Sequence, residues 1–181
     1  MSGSDFKSAI AGFFKLSQTE FRVFLFLFAI ACFSGQQIQQ ESKFEPNLTG
    51  IKCVVSGKAA SEDNWCKFKK GKIFFDCNES RRKFINEKAS FIIKANHQLA
   101  VTGQYVQVKC PIKTIVIDAE KQHKQSVAGI EILFCCDRCQ KQLVEKANVQ
   151  EQIRFIFDNR KFNAIFQPRS QLAARNTESR K

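Results

Sequence analysis

The sequence predicts an α+β chain: an N-terminal signal or anchor helix, then two small units, each a β-hairpin followed by a helix. Three observations lead there. An uncharged apolar run, Val23 to Phe33, stands near the start and gives way to a Gln-rich polar stretch. Beyond residue 50, short alternating segments separated by Gly turns precede segments of helical spacing. That order of elements then returns, displaced by 57 to 59 residues.

The first element is the run VFLFLFAIACF, eleven apolar residues. It is short for a membrane-crossing helix, which needs about 20 residues. It fits the apolar core of an export signal, with Ala29-Ile30-Ala31 as a small-x-small cleavage pattern. Cys32 follows where a lipoprotein carries its acylated cysteine, although Ala29 replaces the usual Leu. Residues 1–34 therefore read as a cleaved signal, an anchor through residues 21–34, or a segment lipidated at Cys32. Each version exports the remainder to the cell envelope or periplasm. Residues 35–50 form a Gln-rich linker ending in a Pro turn.

The first unit covers residues 51–95. Ile51 to Val55 reads as a short strand, Ser56-Gly57-Lys58 as a turn, and Trp65–Lys69 with Lys72–Phe75 as a hairpin around Lys70-Gly71. Asn78 to Lys88 has a polar first turn and helical apolar spacing, with Phe84 and Ile85 facing inward. A partly helical connector, Phe91 to Gln104, leads to the second unit at 105–148. There Tyr105–Cys110 alternates as a strand, a second strand lies near Thr114–Ile117, Gly129 turns into Ile130–Phe134, and a helix runs from about Cys136 to Ala147. Lys52-Cys53 matches Lys109-Cys110, Phe75 matches Phe134, and Phe84 matches Leu143, as an internal duplication requires. Ile153, Phe155 and Phe157 alternate with polar positions, so 151–166 reads as a terminal hairpin around Asp158-Asn159. Residues 167–181 read as a basic tail.

The chemistry concentrates in Phe134-Cys135-Cys136-Asp137-Arg138-Cys139, three of the eight cysteines in five positions. With a helix starting near Cys135, Cys135 and Cys139 share one face, and the helix N-terminus favours their thiolates. Cys110 ends a strand 24 intervening residues earlier. A turn cysteine and two from a helix start form a small metal knuckle, and an ion stabilises units too small for a large core. The expected ligands are Cys110, Cys135 and Cys139, for zinc with a fourth ligand (His123, Cys136 or water) or for copper as Cu(I) without one. Two other readings stay open: disulfides among these cysteines of an exported protein, and thiol exchange through Cys136-x-x-Cys139. In the first unit Asp76 stands for Cys135 and Ser80 for Cys139, while Cys53 keeps its place. That copy is expected to have lost metal, with a Cys53–Cys77 or Cys66–Cys77 disulfide as a replacement. His97 reads as a packing residue.

Cys53-Val-Val-Ser-Gly-Lys58, Gly71-Lys-Ile-Phe-Phe75, the Lys83-Phe84 helix, Cys110-Pro111 and Phe134-Cys-Cys-x-x-Cys139 together resemble the TRASH/YHS family. The likeness covers roughly residues 51–148, and the two-copy arrangement looks like that of exported tandem proteins of planctomycete-like bacteria. It implies a treble-clef-like zinc-binding fold for each unit and a role in metal sensing, trafficking or resistance. The family's ligands map to Cys110, Cys135 and Cys139, and in the first copy to Cys53, Asp76 and Ser80.

Charge and composition bound the partners. Twenty-nine basic against 17 acidic residues give +12, spread along the chain, which suits a solvated basic surface or an anionic membrane surface. One Trp, one Tyr and no recognition motif argue against nucleic acid. No Ser/His/Asp set, carboxylate pair or phosphate-binding Gly loop is present, so an enzyme is not expected. The functional expectation is an exported module that binds metal for trafficking, sequestration or sensing. Its main competitor is a disulfide-stabilised envelope protein that binds another envelope protein.

Overall fold

The computed structural model describes residues 44–172 except 119, 121 and 147. The expected signal or anchor, Cys32 and most of the linker lie outside the described residues. The described chain is α+β. Its elements are β1 (Ser61–Phe68), β2 (Gly71–Phe75), α1 (Asn78–Asn86), α2 (Lys88–Val101), β3 (Tyr105–Gln107), β4 (His123–Val127), β5 (Ile130–Phe134), α3 (Asp137–Val144), α4 (Val149–Phe157), α5 (Asn159–Ile165) and β6 (Phe166–Pro168). Three two-stranded antiparallel sheets pair β1 with β2, β3 with β6, and β4 with β5. No helix among the described residues is long and apolar enough to cross a membrane.

The two halves repeat each other at the level of backbone turns. Cys53 N–H donates to the Lys58 carbonyl at 2.7 Å and Gly57 N–H to the Cys53 carbonyl at 2.9 Å; Cys110 to Ile115 (2.9 Å) and Thr114 to Cys110 (2.8 Å) do the same. A single bridge closes each loop, Lys52 with Ala59 and Lys109 with Val116. The strands expected at 51–55 and 114–117 are therefore reduced to isolated pairs, because a reversal this tight leaves no length for a ladder. Gly57 has φ +76°, and Thr114 takes the same left-handed turn at φ +60° with a Cβ to accommodate. Both hairpins then lead into a helix whose preceding residue, Cys77 or Cys136, has extended backbone.

One core joins the halves. Phe75 and Phe84 from the first, Phe134 and Leu143 from the second, and Phe157 and Phe162 from α4 and α5 are all fully buried in a single cluster. Each such side chain contributes about 1.5–3 kcal/mol. Helix α2 holds the cluster together through polar contacts. The Asn96 amide donates to the Phe157 carbonyl at 2.9 Å, and His97 Nε2 lies 2.9 Å from the Ala128 carbonyl in the β4–β5 turn. Gln98 pairs its amide with both backbone groups of Phe74, at 2.8 and 3.0 Å, and Gln107 does so with Leu133 at 2.9 and 2.7 Å. These two amides occupy equivalent points on the outer edges of β2 and β5, where unpaired strand groups would otherwise remain.

Two expectations at the C-terminus are corrected. Residues 151–166 are not a hairpin but fall in α4 and α5, ending at the start of β6. Asn148 caps α4 by accepting from Glu151 N–H at 3.0 Å, and Asp158 caps α5 by accepting from Arg160 and Lys161. Helical spacing buries Ile156 and Phe157 together and leaves Phe155 at the side, under the ammonium groups of Lys146 and Lys161. The region assigned to a basic tail from residue 167 starts as structure: Gln167 and Pro168 pair with Val106 and Tyr105, and Arg169 Nε donates to the Gly103 carbonyl at 2.8 Å.

Candidate metal centre

Four cysteines meet where the β5 end, the α3 start and the Cys110 turn converge. Cys110, Cys135 and Cys139 place their sulfurs within 4.8 Å of one another. Cys135 and Cys139 are 3.7 Å apart, Cys136 and Cys139 3.5 Å, and Cys135 and Cys136 4.0 Å. Local structure explains each position. Cys110 sits at the base of its tight loop and is wholly buried. Cys135 follows the last residue of β5 and is half-buried, and Cys139 lies in the first turn of α3, buried like Leu143 one turn on.

The cluster fits a soft or borderline ion on two grounds. Sulfurs about 2.3 Å from a tetrahedral ion stand about 3.8 Å apart, close to the spacings observed. Protonation also differs among the thiols. Burial pushes Cys110 up, but the backbone N–H groups of Lys113, Cys135 and Ile112 outweigh it and hold the thiol below its ordinary value. Backbone N–H of Cys139 leads the groups that lower Cys136. Burial raises Cys135, and burial together with the sulfurs of Cys136, Cys135 and Cys110 raises Cys139. Crowded sulfurs cannot all ionise side by side, and a bound cation removes that obstacle.

His123, one candidate for a fourth ligand, stands outside this set. It begins β4 instead of lying in a loop, and its Nδ1 is 3.5 Å from the Asp137 carboxylate. His97 is a packing residue, set edge-on to Phe157 at 5.0 Å. Burial lowers its pKa below 6.5, against the pull of the Ala128 carbonyl.

The first half builds the same frame around different chemistry. Ser56 N–H reaches the Cys53 sulfur at 3.5 Å, and the Cys77 thiol donates to Ser80 Oγ at 3.5 Å. Asp76 takes the position of Cys135. The Cys53 thiol and the Ser80 hydroxyl, with Ser56 further down in weight, hold its carboxyl well below the usual range; its Oδ1 is buried without a hydrogen-bond partner. All seven described cysteines are free, so neither disulfide considered for this half is formed.

The sequence does not single out Gln98, Gln104 and Gln107, whose amides hold strand edges. Gln104 resembles the others, bonding both backbone groups of Lys72 at 2.7 and 2.8 Å. The only sequence signal is their position in polar stretches beside strands. Comparison with protein-family models, curated proteins and solved structures finds no significant match.

Proposed function

We propose that this chain is an exported metal-binding module of the TRASH/YHS type, which holds zinc or copper in its second half through Cys110, Cys135 and Cys139 and serves metal trafficking, sequestration or sensing. The observation that carries this reading is the approach of those three sulfurs to within 4.8 Å, from segments with 24 residues between them. The repeated hairpin-plus-helix frame, with a cysteine turn before each hairpin, supports a treble-clef-like description of both halves. The apolar run at 23–33 supports export. In the first half the carboxylate of Asp76 and the hydroxyl of Ser80 replace two sulfurs, so that half acts as a scaffold.

On this account the residues divide the work simply. The Cys110 loop aims N–H groups at one sulfur and stabilises its charge. The α3 start does the same for Cys136 through the Cys139 N–H. The core behind them, Phe134 and Leu143, keeps water from the inner side. An ion held there supplies positive charge that lets the thiolates coexist.

Elemental analysis of the full chain, paired with mass spectrometry without reductant, tests the proposal. One equivalent of zinc or copper with all cysteines unpaired is expected. No metal with paired cysteines would instead favour the disulfide-stabilised envelope protein.

A further inference from the structure

The three-sulfur reading leaves Cys136 unused, although its sulfur stands beside two of the three; from Cys110 it is farther, outside the set that lies within 4.8 Å. It lies 3.5 Å from Cys139 and 4.0 Å from Cys135, either side of the tetrahedral edge of about 3.8 Å. Its placement comes from the backbone. Cys136 precedes α3 with φ −169° and ψ 162°, its carbonyl accepting from Cys139 and Gln140 N–H. Cys77 precedes α1 with φ −153° and ψ 170° and lies at the same 3.5 Å from the residue three places on. The fold thus points the residue before the helix at the third ligand position in both halves. His123, the other side chain of fitting chemistry, is engaged with Asp137.

Resting on the metal-binding reading above, we propose that Cys136 is the fourth ligand of the site, closing a four-thiolate pocket for a tetrahedral divalent cation of the zinc class. Four thiolates suit such an ion better than Cu(I), which is content with fewer. Cys110 and Cys139 are buried at 0% and 1% exposure, whereas Cys136 is partly open. Cys135 is partly open as well, so Cys135 and Cys136 form the outer side of the site, the side that an incoming thiol of a partner reaches first when the ion is exchanged.

Cobalt(II) titration of the full reduced chain under anaerobic conditions tests this. Thiolate-to-cobalt charge-transfer absorbance grows with the number of Co–S bonds. Wild type is expected to show four, and Cys136→Ser to lose about a quarter of the absorbance while still binding one equivalent. The same variant should surrender cobalt to a chelator faster. Cys136→Ala, which cannot offer a hydroxyl in place of the thiol, serves as the second variant and should show the same loss. Unchanged absorbance and unchanged extraction rate in both variants would overturn the fourth-ligand proposal and leave the three-sulfur site standing. A wild-type chain that binds no cobalt would bring both down.

Discussion

Replacing Asp76 and Ser80 by cysteine gives the first half the sulfur set of the second. The positions already correspond: Cys53 and Ser80 are 2% and 7% exposed, against 0% and 1% for Cys110 and Cys139. The Cys77–Ser80 separation, 3.5 Å, equals that of Cys136 and Cys139. Without metal, the double variant Asp76→Cys, Ser80→Cys loses the carboxylate that Cys53 and Ser80 stabilise and is less stable than wild type. With metal it binds about two equivalents instead of about one. A free ion concentration a hundredfold above the Kd of the new site adds about 2.7 kcal/mol. At about 2–4 °C per kcal/mol for a chain of this size, Tm rises by about 5–11 °C on adding zinc, beyond the rise seen in wild type. Elemental analysis and thermal unfolding with and without a chelator measure both. A folded double variant that still binds one equivalent, with a zinc-dependent Tm shift equal to that of wild type, would refute the equivalence of the two frames.

Other perturbations test the framework. Thr114→Gly should stabilise the chain by about 0.5–1 kcal/mol in denaturant unfolding, since the left-handed turn costs a β-branched residue about 1–2 kcal/mol and glycine gives part of that back as entropy. Phe162 is fully buried, with its ring 4.8 Å from Phe166 and 5.1 Å from Tyr105. Phe162→Ala should cost about 3–5 kcal/mol in the same assay and loosen the α5–β6 return. Burial holds His97 neutral below its ordinary 6.5, so the unfolded chain takes up its proton first. The contribution of neutral His97 is complete above about pH 6.5 and is lost as pH falls through the lower folded value. His97→Gln, able to keep the bond to Ala128, should flatten part of the stability decline that wild type shows as pH falls below about 6.5.

What was legible in the sequence depended on how local the physics is. The hairpins and the helices following them are written in short-range signals: alternation over a few residues, turns read around Lys70-Gly71 and at Gly129, and polar helix starts. Helical spacing predicts that Cys135 and Cys139 meet, but α3 starts at Asp137 behind the extended Cys136. It is therefore the end of β5 that carries Cys135 to Cys139, and the loop after β3 that carries Cys110. The C-terminal hairpin failed because Ile153, Phe155 and Phe157 satisfy a period of two, while the deciding signal was Asn148-x-x-Glu151, a helix-capping pattern. The pairing of β3 with β6 joins segments some sixty residues apart, and nothing within either segment announces the partner. The second-half loop was hard to read because Thr114 carries none of the usual marks of a left-handed turn. The structure retains the turn because Cys110 and its bonds to Thr114 and Ile115 determine it.

The central claim is that sulfur atoms from the Cys110 loop and the α3 start surround one ion. X-ray absorption at the metal edge of the protein as isolated tests it directly. About one equivalent of metal with a shell of three or four sulfurs at about 2.3 Å is expected. A metal shell of oxygen and nitrogen alone, or the same spectrum from a Cys110→Ser, Cys139→Ser chain, would contradict it.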